Sequence, residues 1–256
     1  ETRIIRKAYF EHPNYVPLLS RSYDLWAETE AEHGKQLFWQ TGLVEVSPPD
    51  GMIVPRVLEA ARQHDLAVES LAAAEFTERF PTLTLPDSHI AVFEQDAGFL
   101  RVEGCVQAHL DLAAKHGATL KFGTPVLDWS ASNVGVEVRT ADETFSAGSL
   151  AIAAGAWSAD LTRELGMPLR ILEKHLHWFD ADAQTSLDAG FPCFFYETDL
   201  GGYFYGFPNL PGSGMKAAEH SGGSEIADPA KATRQIDPTE LARVEDFLQN
   251  HLAGIG

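Results

Sequence analysis

The sequence predicts a mixed α/β and α+β fold, with helices and strands woven together along the chain and not segregated into two beads on a linker. Three observations carry that expectation. Apolar residues recur at helical spacing in several stretches; short β-branched and aromatic runs lie between Pro and Gly clusters; and the two kinds of block alternate with no internal repeat, low-complexity tract or charge run.

In chain order, Leu18, Ser22, Leu25 and Thr29, flanked by Leu19, Tyr23 and Trp26, predict an amphipathic helix over 17–33 that Gly34 ends. Residues 38–46 read as one strand, closed by the turn cluster Ser47-Pro48-Pro49-Asp50-Gly51. A short helix follows over 56–64, then a helical stretch over 70–80, and Pro81 and Pro86 bracket a link to a strand over 90–94. The stripe Val102, Val106, Leu110, Ala113 predicts a helix that Gly117 terminates. Strands are expected over 119–122, 134–140 and 144–147, the last two joined across Ala141-Asp142-Glu143. The apolar run 150–153 enters Ala154-Gly155-Ala156-Trp157 and a helix over 158–165, which is how α/β proteins bring backbone close to a cofactor. The remaining third reads as strands over 172–180, 193–197, 202–207 and 215–219. A final helix opens on Asp237 as N-cap, Pro238 at its first position and Glu240 as capping-box partner, with Leu241, Val244, Leu248 and His251 on one face.

The chain has 256 residues, enough for one large domain or two small ones. Nineteen Lys and Arg against 37 Asp and Glu give a net charge of −18, a field that repels nucleic-acid backbones and anionic lipid, so neither is expected as a partner. Cys105 and Cys193 cannot build a disulfide framework and form no CxxC pair, and no run approaches a membrane span or a signal-peptide core. A soluble, cytoplasmic protein is the expectation. The absence of an initiator Met points to a portion of a longer chain.

His175-Leu176-His177 puts two imidazoles on one face of a strand, but neither HExxH nor a Cys/His cluster accompanies them, and no metal is expected. Gly212-Ser213-Gly214 lacks the GxSxG frame of a hydrolase elbow. Two other constellations hold more chemistry. Arg3 and Arg6 are three apart; on a helical turn they would point the same way and hold a carboxylate or an electron-rich ring, although spacing alone favours a solvated basic turn. Tyr203 and Tyr205 share one face of a strand, and Lys216 and His220, four apart at period two, share one face of another. Adjacent strands would bring phenol, amine and imidazole to one cleft, a set that binds a carboxylate and tunes an amine's protonation. Ordinary sheet-surface residues account for the same pattern equally well.

At these constellations the sequence resembles the monomeric sarcosine oxidase and N-methyltryptophan oxidase family, flavin-dependent amine oxidases of the D-amino-acid oxidase superfamily. The matching segments are TRIIRKAYFEHPNYVPL, TGLVEVSPPDG, AVFEQDAGFLRVE, AIAAGAW, FYGFP, GMKAAEHSGG and HLAGIG; they run in the family's order and cover essentially the whole chain. The resemblance implies FAD as cofactor, with Arg6 gripping the substrate carboxylate and Arg3 beside the flavin ring. Lys216 matches the lysine that sits over the flavin and promotes its reaction with oxygen. Tyr205 and His220 match residues on the substrate side that orient the amine. Val126 falls at the adenine end of FAD, and Gly155, Ala156 and Trp157 at a second flavin-contacting turn. It further implies a flavin-adjacent segment and helix at 1–37, a substrate domain in two parts, 38–99 and 167–256, built on a large mixed or antiparallel sheet, and between them, at 100–166, part of a glutathione-reductase-like FAD-binding domain.

Two parts of the family pattern have no counterpart in the sequence: the N-terminal GxGxxG unit, and the C-terminal block with its flavin-linking cysteine and a carboxylate-contacting lysine. Neither Cys105 nor Cys193 is assigned as a flavin attachment. Glu173-Lys174 also departs from the family, whose members usually carry Arg followed by Gln or Lys there. Residues 94–103 and His220-Ser221-Gly222-Gly223 lean toward the N-methyltryptophan oxidase branch. The expected activity is oxidation of the C–N bond of an N-methyl amino acid by a monomeric enzyme, with oxygen reduced to hydrogen peroxide. The alternatives are a non-catalytic acidic binding domain and an FAD dehydrogenase that uses another acceptor.

Overall fold

The computed structural model describes residues 1–233 and 235–255; Arg234 and Gly256, which belong to the expected segment 167–256, and the last of which ends the HLAGIG match, lie outside the described residues. The chain divides into two compact units. The first comprises Glu1–His116, His175–Gly222 and Ile236–Gly256, and the second Gly117–Lys174 and Gly223–Gln235.

The first unit is built on a seven-stranded sheet whose strands lie in the order His177–Phe179, Met215–Glu219, Tyr203–Gly206, Cys193–Glu197, Leu43–Ser47, Ile90–Glu94, Val68–Leu71. All neighbours are antiparallel except Cys193–Glu197 with Leu43–Ser47, the parallel pair at the centre. Those two central strands are buried at every position, as a sheet covered on both faces requires. One face carries Val44, Val46, Phe194, Tyr196, Phe204 and Met215 against helix Pro238–His251. The predicted cap of that helix is in place: the Asp237 carboxylate accepts from the backbone N–H of Thr239 (2.7 Å) and Glu240 (3.3 Å). Phe247 anchors it, lying flat on Phe204 with ring centroids 4.5 Å apart. Phe247→Ala removes a buried aromatic from a close-packed layer and is expected to cost about 3–5 kcal/mol of stability, measurable by denaturant unfolding.

The opposite face carries Leu43, Cys193, Phe195 and Phe207, covered by Ile53, Val54 and Val57 of helix Ile53–His64 and by Ala8 and Phe10. The Glu197 carboxylate holds the start of that helix, accepting from the N–H groups of Met52 (2.7 Å) and Ile53 (2.9 Å). A three-stranded antiparallel sheet, Thr2–Ile5, Gly98–Arg101, Phe38–Trp39, adjoins this face, where Phe99 meets Phe207 edge-on. Helices Val16–His33 and Val102–Lys115 close over Leu37, Cys105 and Ala108.

Several local expectations are corrected. The predicted strand 38–46 is two strands in different sheets, broken at Gly42, whose φ of +73° disfavours a side chain and whose missing Cβ leaves room for the Phe93 ring. The stretch 70–80 is helical only over Ala73–Arg79, because Val68–Leu71 pairs with Ile90–Glu94 as the sheet edge. Strand Gly98–Arg101 was not expected; long-range pairing to Thr2–Ile5 forms it. Residues 172–180 split between Ile171–Glu173, paired with Ser224–Ile226, and His177–Phe179, paired with Met215–Glu219.

The second unit holds an antiparallel meander, Asp128–Ser132, Gly135–Arg139, Thr144–Ala147, together with the Ile171–Glu173 and Ser224–Ile226 pair. The predicted hairpin across 141–143 forms, whereas 119–122 and 150–153 have no strand partner and remain irregular. Gly155–Trp157 is a single 3₁₀ turn leading into Ser158–Leu161. No helix among the described residues is long and apolar enough to cross a membrane.

Candidate active site

Arg3 and Arg6 do not share a helical turn. Thr2–Ile5 is a strand, and in extended backbone an odd separation sends side chains to opposite faces. Arg3 accordingly stays in solvent, 56% exposed, with Nη1 donating to its neighbour's Thr2 carbonyl (3.0 Å) and Nη2 3.5 Å from Glu1. Arg6 turns inward and is 8% exposed. The turn that carries it is pinned by Glu94, whose carboxylate accepts from the backbone N–H of Lys7 (2.7 Å) and Ala8 (3.1 Å). Burial pushes the Glu94 carboxyl above its usual range, against those two hydrogen bonds.

The Arg6 guanidinium lies over the rings of Tyr9 (4.5 Å), Phe10 (4.7 Å) and Phe195 (5.7 Å), and its Nη2 donates to Glu11 (3.2 Å). Phe195 is the hub. The register places Phe195 opposite both Glu45 and Tyr205, and Tyr205 opposite Ala218, so Glu45, Phe195 and Tyr205 point to one face, as do Lys216 and Ala218. Tyr205 stacks on Phe195 with centroids 6.2 Å apart, and the His220 ring meets Phe195 edge-on at 5.4 Å and Tyr205 at 6.3 Å. Arg6, Tyr205 and His220 therefore all surround one aromatic ring. The Tyr205 phenol is raised above its ordinary value by burial, partly offset by Arg3.

Lys216 is 3% exposed. Its Nζ donates to the Thr2 carbonyl (2.5 Å) and sits 4.2 Å over the Phe207 ring, which in turn meets Tyr205 edge-on at 5.9 Å. Burial, helped by the nearby Arg3 charge, pushes the ammonium down to about 8. A cavity of about 300 Å³ opens beside it, with Thr2, Trp39, Trp178 and Phe207 among its lining residues and Glu1, Glu103, Arg101 and Lys216 as its charged ones. The buried Thr2 hydroxyl has no hydrogen-bond partner there. Aromatic walls, a spare hydroxyl and one buried cation suit the ring of a flavin, a planar group that accumulates negative charge on reduction.

Val126, Gly155, Ala156 and Trp157 lie in the second unit, with Val126 43% and Trp157 55% exposed. Gly155 has a φ of +55° and open space where a Cβ would be. The two histidines singled out for metal chemistry do other work: His175 Nδ1 pairs with Glu240, and His177 is buried. Among the described residues no three His, Cys, Asp or Glu side chains are grouped to hold a metal ion. Cys193 is buried, its thiol pushed up to about 12 by desolvation, and is unsuited to act as a nucleophile.

The profile of the FAD dependent oxidoreductase family matches residues 1–255. The chain belongs to that family. A monomeric sarcosine oxidase of Bacillus sp. (strain NS-129) is 36% identical over 260 residues, covering 99% of this chain and 67% of that protein. An N-methyl-L-tryptophan oxidase of Citrobacter koseri is 35% identical, covering 100% and 68%. The chain thus spans about two thirds of the length of the curated family members it matches. In fold it is similar to NikD, an unusual amino acid oxidase essential for nikkomycin biosynthesis, with a TM-score of 0.80 at 23% identity over 100% of this chain and 67% of that one. It is also similar to glycine oxidase from Geobacillus kaustophilus, with a TM-score of 0.70 at 20% identity over 97% and 66%. The resemblance carried by the sequence segments is borne out at the level of the family and its fold, and FAD is the family's cofactor.

Two site residues escaped the sequence reading. Phe195 belongs to an apolar strand, and only its pairing with Tyr205 gives it a role. Glu45 is the lone charge in Leu43-Val44-Glu45-Val46, and that isolation was the available signal.

Proposed function

We propose that the protein oxidises the C–N bond of an N-methylated amino acid of the sarcosine or N-methyltryptophan type and passes the electrons to oxygen. The observation that carries this reading is the gathering of Arg6, Tyr205 and His220 around the Phe195 ring. Arg6 supplies the charge that a substrate carboxylate needs. Tyr205 and His220 orient the amine, and the neighbouring cations favour its neutral form, which keeps the lone pair available. Bound FAD supplies the acceptor for two electrons. In balance, the secondary amine loses two electrons and two protons to become an imine, water hydrolyses the imine to a primary amine and an aldehyde, and oxygen takes up two electrons and two protons as hydrogen peroxide.

Thr2 and Lys216 are proposed to face the flavin ring with Arg3 beside it, Val126 toward the adenine end, and Gly155, Ala156 and Trp157 at a second contact. In this reading 38–99 and 167–256 form the substrate domain, 100–166 part of the FAD domain and 1–37 the adjoining segment, in a monomeric cytoplasmic enzyme. With sarcosine or N-methyltryptophan, an oxygen electrode should record uptake matched by equal amounts of peroxide and formaldehyde. Turnover with an artificial dye but no oxygen uptake would replace the oxidase with a dehydrogenase.

A further inference from the structure

Glu45 is the most conspicuous buried group that this reaction leaves unused. It projects from the central strand Leu43–Ser47, is 0% exposed, and neither carboxyl oxygen has a hydrogen-bond partner. Its Oε1 is 3.7 Å from Arg6 Nε, which likewise has no hydrogen-bond partner. An unbonded carboxyl is costly to bury, and costlier when ionised. Arg6 already has one carboxylate, Glu11, on its Nη2. If Glu45 were ionised as well, two negative side chains would face a single guanidinium, and an incoming substrate carboxylate would be the third.

We propose that Glu45 is a positioning residue that gates the carboxylate site: Arg6 takes a substrate carboxylate only while Glu45 is protonated, so that binding at high pH is coupled to proton uptake. This inference rests on the assignment of Arg6 to the substrate carboxylate. The charged and titratable groups around Glu45 are Arg6, which favours its ionised form, and Glu94 and Glu11, which oppose it; Tyr9 and Tyr23 flank Arg6. Burial dominates and pushes the Glu45 carboxyl up to about 8. The sign follows: below that value Glu45 is already neutral and binding needs no proton, whereas above it each carboxylate bound must bring a proton with it, and affinity falls as pH rises.

The test uses the intact, flavin-loaded protein and two ligands with no oxidisable amine, methoxyacetate and its neutral counterpart methoxyacetamide. Titration calorimetry in buffers of different ionisation enthalpy reads affinity and proton uptake together. The expected result is that methoxyacetate binding weakens about tenfold between about pH 7 and about pH 9, with uptake at the upper end approaching one proton per ligand. Methoxyacetamide should show neither effect. Glu45→Gln should bind methoxyacetate with no such pH slope and about tenfold more tightly than the unaltered protein at about pH 9; Glu45→Val, which suits the apolar neighbours, should do the same. Because Lys216 titrates in a similar range, a slope that survives both Glu45 variants would overturn the proposal, as would flat binding or no proton uptake in the unaltered protein. Failure of Arg6→Gln to weaken methoxyacetate would instead remove the Arg6 assignment, and the gate with it.

Discussion

Lys216→Met is expected to slow reoxidation of the reduced flavin by oxygen about 10²- to 10³-fold, the scale on which a single preorganised charge stabilises a charged transition state. Lys216 is a buried cation held by the Thr2 carbonyl over Phe207, beside an aromatic-walled cavity. Negative charge that develops on oxygen there meets a fixed positive charge in a poorly solvated setting. Reduction of the flavin by the amine makes no such demand, so its rate should change less than about tenfold. Stopped-flow measurement of the two half-reactions separates them; equal losses in both would argue against the oxygen role and for a dehydrogenase. The pH dependence has a definite sign. As pH rises through about 8, Lys216 loses its proton, so the reaction with oxygen should slow in the unaltered protein and remain flat in the variant.

Arg6→Gln is expected to raise KM for an N-methyl amino acid by about 10²-fold or more, the range for removing one member of a buried charge pair. The effect should fall mainly on KM, because the carboxylate contact is present in ground and transition states alike. An amide or ester of the same amino acid has no carboxylate to lose and should be nearly indifferent to the change. A variant that lost kcat alone, or lost activity equally toward acid and amide, would show that Arg6 serves the fold and not the carboxylate. Melting temperature separates those outcomes, since the guanidinium also packs on Tyr9, Phe10 and Phe195.

Where period alone decides direction, the sequence was legible. Strand residues two or four apart face alike, and the register of Tyr203–Gly206 with Met215–Glu219 puts Tyr205, Ala218 and Lys216 on one face of the sheet, with the His220 ring against Tyr205. The Asp237 cap and the stop at Gly34 rest on equally local chemistry. Arg3 and Arg6 defeated the same reasoning because the state of Thr2–Ile5 depends on pairing with Gly98–Arg101, about a hundred residues away. Once that segment is a strand, the two arginines part, one to solvent and one to the core. Gly42 likewise reads as an ordinary strand residue until the Phe93 ring is found filling the place of its Cβ. Glu45 is not legible from sequence as a buried group, since a carboxylate is rarely buried, and only the covering of both faces of Leu43–Ser47 places it in the core.

The most direct measurement is anaerobic. The flavin-loaded protein should absorb near 450 nm, a property its cofactor supplies, and mixing with excess sarcosine or N-methyltryptophan in the absence of oxygen should bleach that band within the turnover time. Admitting oxygen should then restore it. Persistence of the band with every N-methyl amino acid, in a preparation whose flavin dithionite still reduces, would contradict the claim that this site takes electrons from an amine.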